Sequence, residues 1–286
     1  MLKFTLPNIC ENKRINSFLI QLSRVHADYF KEEVSFIQES GAIPYCSWSG
    51  YNSNIGSGLT AYDFIHLSRN SRLPVRINFA NILLEPYDFE DCMGQAILKA
   101  MHNGSNLIEL SNLELLDHIV EQYPNYKFVL SKQVDFSTEM TPELLNLLIE
   151  TDKFVLIGIP DKYISDIEFL SKLEHKSKFE ITVNPPCPIH CRTYKNCGIQ
   201  EHKTQLAYSG VPILWNCKKC NKHSNSKSYL SLKELKETYV KMGFSHFTFS
   251  PYYTSSVYEL LDFYLTYFIK PEYYNEAYKF WYGGNY

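Results

Sequence analysis

Apolar residues along the chain fall into two alternating rhythms. Short runs rich in β-branched and aromatic residues, among them "KFTL", "VSFIQES", "PVRINFAN", "NLIEL", "YKFVL", "FVLIGI", "FEITV" and "HFTFS", are separated by longer stretches. Most of these intervening stretches repeat their apolar positions every three to four residues: "INSFLIQLSRVHADYF", "AYDFIHLSRN", "DFEDCMGQAILKAMHNG", "LELLDHIVEQY", "PELLNLLIETD", "ISDIEFLSKLEHK" and "LKELKETYVKMG". The first rhythm predicts strands and the second amphipathic helices. A long final helix is predicted from about Ser256. One strand per unit gives eight, beginning near Phe4, Val34, Val75, Leu107, Phe128, Phe154, Ile181 and Phe247.

Helix starts carry their own marks. Ser111 with Glu114, Ser231 with Glu234 and Ser256 with Glu259 each set a hydroxyl three residues before a carboxylate, the spacing of a capping box. Thr141 precedes Pro142, and proline at the first helical position forfeits no hydrogen bond.

Strand-helix alternation calls for parallel strands, because right-handed crossovers lay the helices on the sheet's outer faces. A TIM-like (β/α)8 barrel is the simplest closure at 286 residues, with an open doubly wound sheet as the alternative. No Pro-, Gly- or Ser-rich linker divides the chain and no repeat appears beyond the βα rhythm, so residues 1–286 read as one domain. In a barrel the polar residues at the C-terminal strand ends face the active-site mouth. Here they are Cys46 and Ser47, Asn78 and Asn81, Glu109, Ser111 and Asn112, Ser131 and Lys132, Asp161 and Lys162, Asn184, and Ser250. Asn81, Glu109, Lys132 and Asn184 are the candidates for orienting a substrate.

Composition narrows the picture. Hydrophobic residues at 45% and charged residues at 21% describe a folded globular chain, and a net charge of -3 gives no basic footprint for a nucleic-acid backbone. The aromatic stripe from Tyr258 to Tyr267 has helical spacing and reads as packing. The N-terminus lacks the cationic start and long apolar run of a signal peptide, and no run is long enough to span a membrane. A cytoplasmic location is expected, where clustered thiols bind metal or do redox chemistry more often than they form disulfides.

That bears on the cysteines. Five of the eight fall between Cys187 and Cys220, immediately past the seventh strand and the "NPP" that ends it. Residues 187–223 are thus expected to form a cysteine-rich metal-binding insertion at the barrel mouth. Cys187 and Cys191 have three residues between them, Cys217 and Cys220 two, and thiolates so spaced converge on a soft centre. The four suit a [4Fe-4S] cluster or Zn²⁺, with Cys197 and Cys46 as alternate ligands; His190, His202 and His223 lie nearby in sequence. Cys10 and Cys92 read as small buried hydrophobes. The radical-SAM cysteine spacing is absent, as are GxSxG, HExxH and P-loop motifs. A Cys197–His202 nucleophile pair has no visible third member.

Taken together, "LPVRINFAN" as third strand, "ITVNPPCPIHCRTYKNCGIQEHK" as seventh strand running into cysteines, and "GFSHFTFS" near the end resemble the collagenase-like peptidase superfamily. Its iron-sulfur relatives hydroxylate ubiquinone precursors or RNA bases without molecular oxygen. The resemblance implies a barrel whose mouth carries a [4Fe-4S] cluster on four cysteines, one branch drawing a cysteine from the end of an early strand, as Cys46 would be. The chain departs from the pattern at "PYYTSS", where many relatives carry a Gly-Arg pair, and the appended domain of the peptidase-like members is not expected of it. The expectation is an iron-sulfur oxidoreductase or hydroxylase acting on a small molecule, peptide or RNA base, served by an electron-donor protein, without membrane insertion. The alternatives are a zinc-stabilised binding barrel, with Lys218, Lys219 and Lys222 on its rim, and a peptidase-like hydrolase.

Overall fold

The computed structural model describes residues 1–43, 46–49, 60–185, 195–196, 198–199, 202–203, 229–250 and 256–284. Eight strands, β1 (Leu2–Leu6), β2 (Val34–Ala42), β3 (Val75–Phe79), β4 (Leu107–Leu110), β5 (Lys127–Leu130), β6 (Phe154–Gly158), β7 (Phe179–Thr182) and β8 (His246–Thr248), close into a barrel in sequence order. Every neighbouring pair is parallel, and β8 returns to β1 through Lys3–His246, Phe4–Phe247 and Thr5–Thr248. Closure rules out the open sheet. The segment 187–223 lies, apart from residues 195–196, 198–199 and 202–203, outside the described residues.

Strand alternation sorts the side chains. Val75, Ile77 and Phe79 on β3, Ile108 and Leu110 on β4, and Phe179 and Ile181 on β7 are buried in the apolar core beneath the helices. Their neighbours Arg76, Glu109 and Glu180 point into the barrel. Adjacent residues of β2 divide the same way. Gln38 reaches Thr5 inside, whereas Glu39 turns outward, accepting from Asn16 Nδ2 at 3.1 Å and Lys13 Nζ at 3.3 Å on the first helix, α1 (Ile9–Val25).

Further helices among the described residues include α2 (Ala61–Arg69), α3 (Cys92–Met101), α4 (Leu113–Gln122), α5 (Pro142–Glu150) and the short α6 (Ile167–Ser171), followed later by Leu232–Glu234, Val257–Phe268 and Tyr274–Gly283. Ser231 and Glu234 form the expected capping box, and Thr141 caps α5 ahead of Pro142. At α4 the cap moves one residue: the Asn112 side chain accepts from the Leu115 N–H, and the buried Ser111 hydroxyl has no hydrogen-bond partner among the described residues. Ser256 caps its helix through the Tyr258 N–H instead of a box with Glu259. The expected α-helix after Ser231 tightens to one α turn and then widens into a π-helical stretch, Leu235–Val240.

The final helix is two helices. Ile269 is extended and bridges to Phe30, Pro271 fixes the turn, and the chain restarts at Tyr274. The aromatic stripe packs as expected through Tyr264, Tyr267 and Phe268, and Phe268 meets Phe4 edge-on at 5.1 Å; Tyr258 at its start is exposed.

Two cysteine expectations change. Cys92 is exposed, because α3 turns Gly94, Ile97, Leu98 and Met101 to the core and its first residue away from it. Cys10 is only half-buried, and burial together with the Glu11 and Asp63 charges pushes its thiol up to about 12.

Gly94 sits under the buried Trp48 indole, which donates to the Asp88 carbonyl at 2.7 Å. A Cβ at Gly94 would come within 2.4 Å of that ring. Overpacking of this kind costs about 1–3 kcal/mol, against about 1 kcal/mol gained in helix propensity. A Gly94→Ala variant is therefore expected to unfold at lower urea concentration than the wild type; equal stability would mean that Trp48 slides aside freely.

Candidate active site at the barrel mouth

The cavity at the C-terminal end of the barrel is lined, among the described residues, by strand and loop positions from all around the ring, with Arg76, Asn78, Glu109, Lys132, Glu180 and Thr182 as its main polar groups. The space open to the centre of a water molecule is ≈ 50 Å3. A water needs about 10–15 Å3 on that measure, so the floor admits a few waters or the head of a substrate.

The floor is a charged network in the barrel interior. Arg76 donates to both Glu180 oxygens, at 2.6 and 2.7 Å, and Nη2 also reaches Thr5 Oγ1 at 3.1 Å. Thr5 donates to Glu180 at 2.9 Å and accepts from Gln38 at 2.8 Å. Thr5, Arg76 and Glu180 come from β1, β3 and β7, alternate strands whose inward residues meet in one layer. Burial opposes the Glu180 charge, yet Arg76 and the hydrogen bonds from Arg76 and Thr5 outweigh it and hold the carboxyl below its usual range. Arg76 Nε is buried with no hydrogen-bond partner among the described residues. Glu109, one strand over, lies 3.6 Å from Arg76 and keeps an exposed edge on the cavity.

Lys132 builds one wall. Its ammonium donates to Asp161 at 2.7 Å, Thr182 at 2.9 Å and Ser250 at 3.2 Å, which uses all three protons and joins the mouth ends of β5, β6, β7 and β8. Gly158 makes room for this, since a Cβ there would stand 2.9 Å from the Lys132 backbone nitrogen.

The other two substrate candidates have their amides engaged. Asn184 donates to the Ser250 carbonyl at 3.1 Å and accepts from the Ser250 N–H at 2.7 Å, clamping the end of β7 to that of β8. Asn81 is fully buried, donating to the Ser47 carbonyl at 2.8 Å and accepting from the Leu83 N–H at 3.0 Å. Neither lines the cavity, whereas Glu109 and Lys132 do. Lys162 pairs with the buried Asp135 at 3.0 Å.

Of the proposed metal ligands, Cys187, Cys191, Cys197, Cys217 and Cys220 lie outside the described residues. Cys46 is fully buried within the apolar core, where burial and the Asp91 charge push its thiol up. Among the described residues no group of three or more His, Cys, Asp or Glu side chains is arranged to hold a metal ion. Gly198 and His202, from the same stretch of sequence, pack on Phe136: a Cβ on Gly198 would meet that ring at 2.5 Å, and the His202 ring lies edge-on to it at 6.0 Å. Phe136 ends the 3-10 turn Lys132–Phe136, which begins at the cavity wall. Burial pushes His202 down to about 3, so its imidazole is neutral.

The interior quartet Thr5, Gln38, Arg76 and Glu180 lies within the strands and not past their ends. Its signal was alternation: "VRINF" and "FEIT" each place charged or polar residues at every second position of an otherwise apolar strand.

No helix among the described residues is long and apolar enough to cross a membrane. No protein-family model and no curated protein matches the sequence. Among solved structures, the U32 peptidase Mk0906 matches with a TM-score of 0.51 and 12% sequence identity, over 88% of this chain and 94% of that one. The likeness is one of fold, and it extends over most of the length of both chains.

Proposed function

We propose that the chain is an iron-sulfur enzyme carrying out an oxygen-independent hydroxylation, or a related redox modification, at the barrel mouth. The observation that carries this reading is the seat of Gly198, next in sequence to Cys197, on Phe136 at the end of the turn that starts with Lys132. It supports seeking the thiols near the side of the cavity that Lys132 and Glu109 line.

The donor set suits the group. Cys187, Cys191, Cys217 and Cys220 would hold a [4Fe-4S] cluster, with Cys197 as an alternate; thiolate is the ligand such clusters take, and they accept uneven spacing. Cys46, protonated and sealed in the core, is a poorer alternate. When bound, the cluster supplies electron relay or an open iron site. The chain's own residues supply the rest. Glu109 offers a carboxylate to the substrate, Lys132 holds four strand ends in fixed relation, and Asn184 and Asn81 set the loops on either side. An electron-donor protein is the partner that this chemistry requires.

The test is metal content in single Cys→Ser variants purified without oxygen. Iron and acid-labile sulfide are expected to fall by most of their value in Cys187→Ser, Cys191→Ser, Cys217→Ser and Cys220→Ser, and to stay unchanged in Cys92→Ser. Iron that is indifferent to all of them would refute the assignment.

A further inference from the structure

His202 is wholly buried, and among the described residues neither of its ring nitrogens has a hydrogen-bond partner. Among those residues no other side chain contributes two such buried atoms. A neutral imidazole has one N–H to give and one lone pair that can accept, and protein interiors rarely leave either unmet. The seat of the ring is specific. It lies edge-on to Phe136 at 6.0 Å, and Gly198 packs on the same Phe136 ring. Residues 198–199 and 202–203 are helical, and four residues is the spacing that stacks two side chains on one helix face. Phe136 thus anchors both positions, of which the first adjoins Cys197. It offers the imidazole apolar contact and no oxygen or nitrogen to receive its proton.

From this we propose that the His202 ring N–H donates to a sulfur of the metal centre that the neighbouring thiols hold. The inference rests on the reading that those thiols bind a metal, and it adds the residue that sets the centre's affinity for electrons. Five cysteines between Cys187 and Cys220 already exceed the four positions of a cubane cluster or a zinc ion, so the ring is not needed as a ligand. Metal-bound sulfur carries negative charge, and an N–H bond to a charged acceptor is strong in a dry interior. Reduction adds negative charge, so a donor aimed at sulfur favours the reduced state and raises the potential. His202 is a positioning residue in this role, since it acts through the centre and not on the substrate.

Redox titration followed by EPR, on full-length protein purified without oxygen, tests this. His202→Leu is expected to shift the balance about tenfold toward the oxidised form, a fall of ~59 mV for a one-electron couple. His202→Gln keeps an N–H and is expected to retain most of the wild-type potential. Iron and sulfide contents are expected to be equal in all three proteins. A potential unchanged in His202→Leu, with iron present, would overturn the inference and leave the iron-sulfur reading standing. Pulsed EPR of the reduced wild type labelled with 15N-histidine decides the matter if the leucine variant does not fold: a weak histidine nitrogen coupling is expected, and its absence would overturn the inference. A zinc protein would refute the iron-sulfur reading, yet uphold this one if NMR shows a slowly exchanging His202 ring N–H that is lost on chelation. A zinc protein without that signal, or a protein without metal, would overturn both.

Discussion

Arg76→Met is expected to lower stability at neutral pH by about 3–5 kcal/mol, the scale for removing one partner of a buried ion pair and stranding the other. Arg76 and Glu180 are each almost wholly buried and joined by two hydrogen bonds, and the same guanidinium supports Thr5 and faces Glu109. The variant leaves the Glu180 charge in the barrel interior with only the Thr5 hydroxyl. Urea denaturation read by circular dichroism measures the loss. Its pH dependence has a sign. In the wild type the folded-state pKa of Glu180 is depressed, so its contribution is complete above the ordinary value of 4.5 and is lost as pH falls through the folded value. In the variant burial acts without Arg76 and raises that pKa, so protonation in mild acid relieves the strain. The gap between wild type and variant is expected to be widest near neutrality and to narrow toward pH 4–5. A gap independent of pH would mean that the loss is one of packing.

Lys132→Met is expected to cost about 2–3 kcal/mol, less than Arg76→Met because Lys132 keeps 19% of its side chain exposed and water partly screens its bonds. Asp161, 4% exposed, loses its cation, and the hydroxyls of Thr182 and Ser250 lose a donor. Adding Asp161→Asn removes the stranded charge, so the double variant is expected to recover part of the loss. A double-mutant cycle in urea reads the coupling directly. Strict additivity would show that the pair contributes nothing and that the four strand ends are held by the ladder alone.

The barrel was legible because its signal is redundant: eight apolar runs in rhythm with amphipathic helices leave few closures, and Thr141, Ser231 and Pro142 mark helix starts chemically. Where the reading slipped, a local competition decided the outcome. Asn112 outcompetes Ser111 for the cap, and Pro271 with the extended Ile269 breaks a helix whose aromatic spacing runs on past it. The mouth was half legible. Strand-end counting reached Glu109 and Lys132, which line the cavity, together with Asn81 and Asn184, whose amides are consumed by the backbone of Ser47, Leu83 and Ser250. One-dimensional position cannot say whether a polar side chain is spent on its own loop. Arg76 and Glu180 escaped that count because they lie inside strands, where only the alternation of "VRINF" and "FEIT" marks an inward face. Glu39 shows why alternation matters: one residue from the inward Gln38, it faces Lys13 and Asn16 on the outside. Spacing made the thiols stand out, yet spacing alone does not separate iron from zinc, since both accept four thiolates.

What those thiols hold decides the chemistry of the barrel mouth. Iron, acid-labile sulfide and zinc should be measured in the wild-type protein purified without oxygen. A brown protein with iron and sulfide in equal amounts is expected, about four of each per chain for one cubane cluster. A colourless protein with one zinc per chain and no sulfide would contradict it.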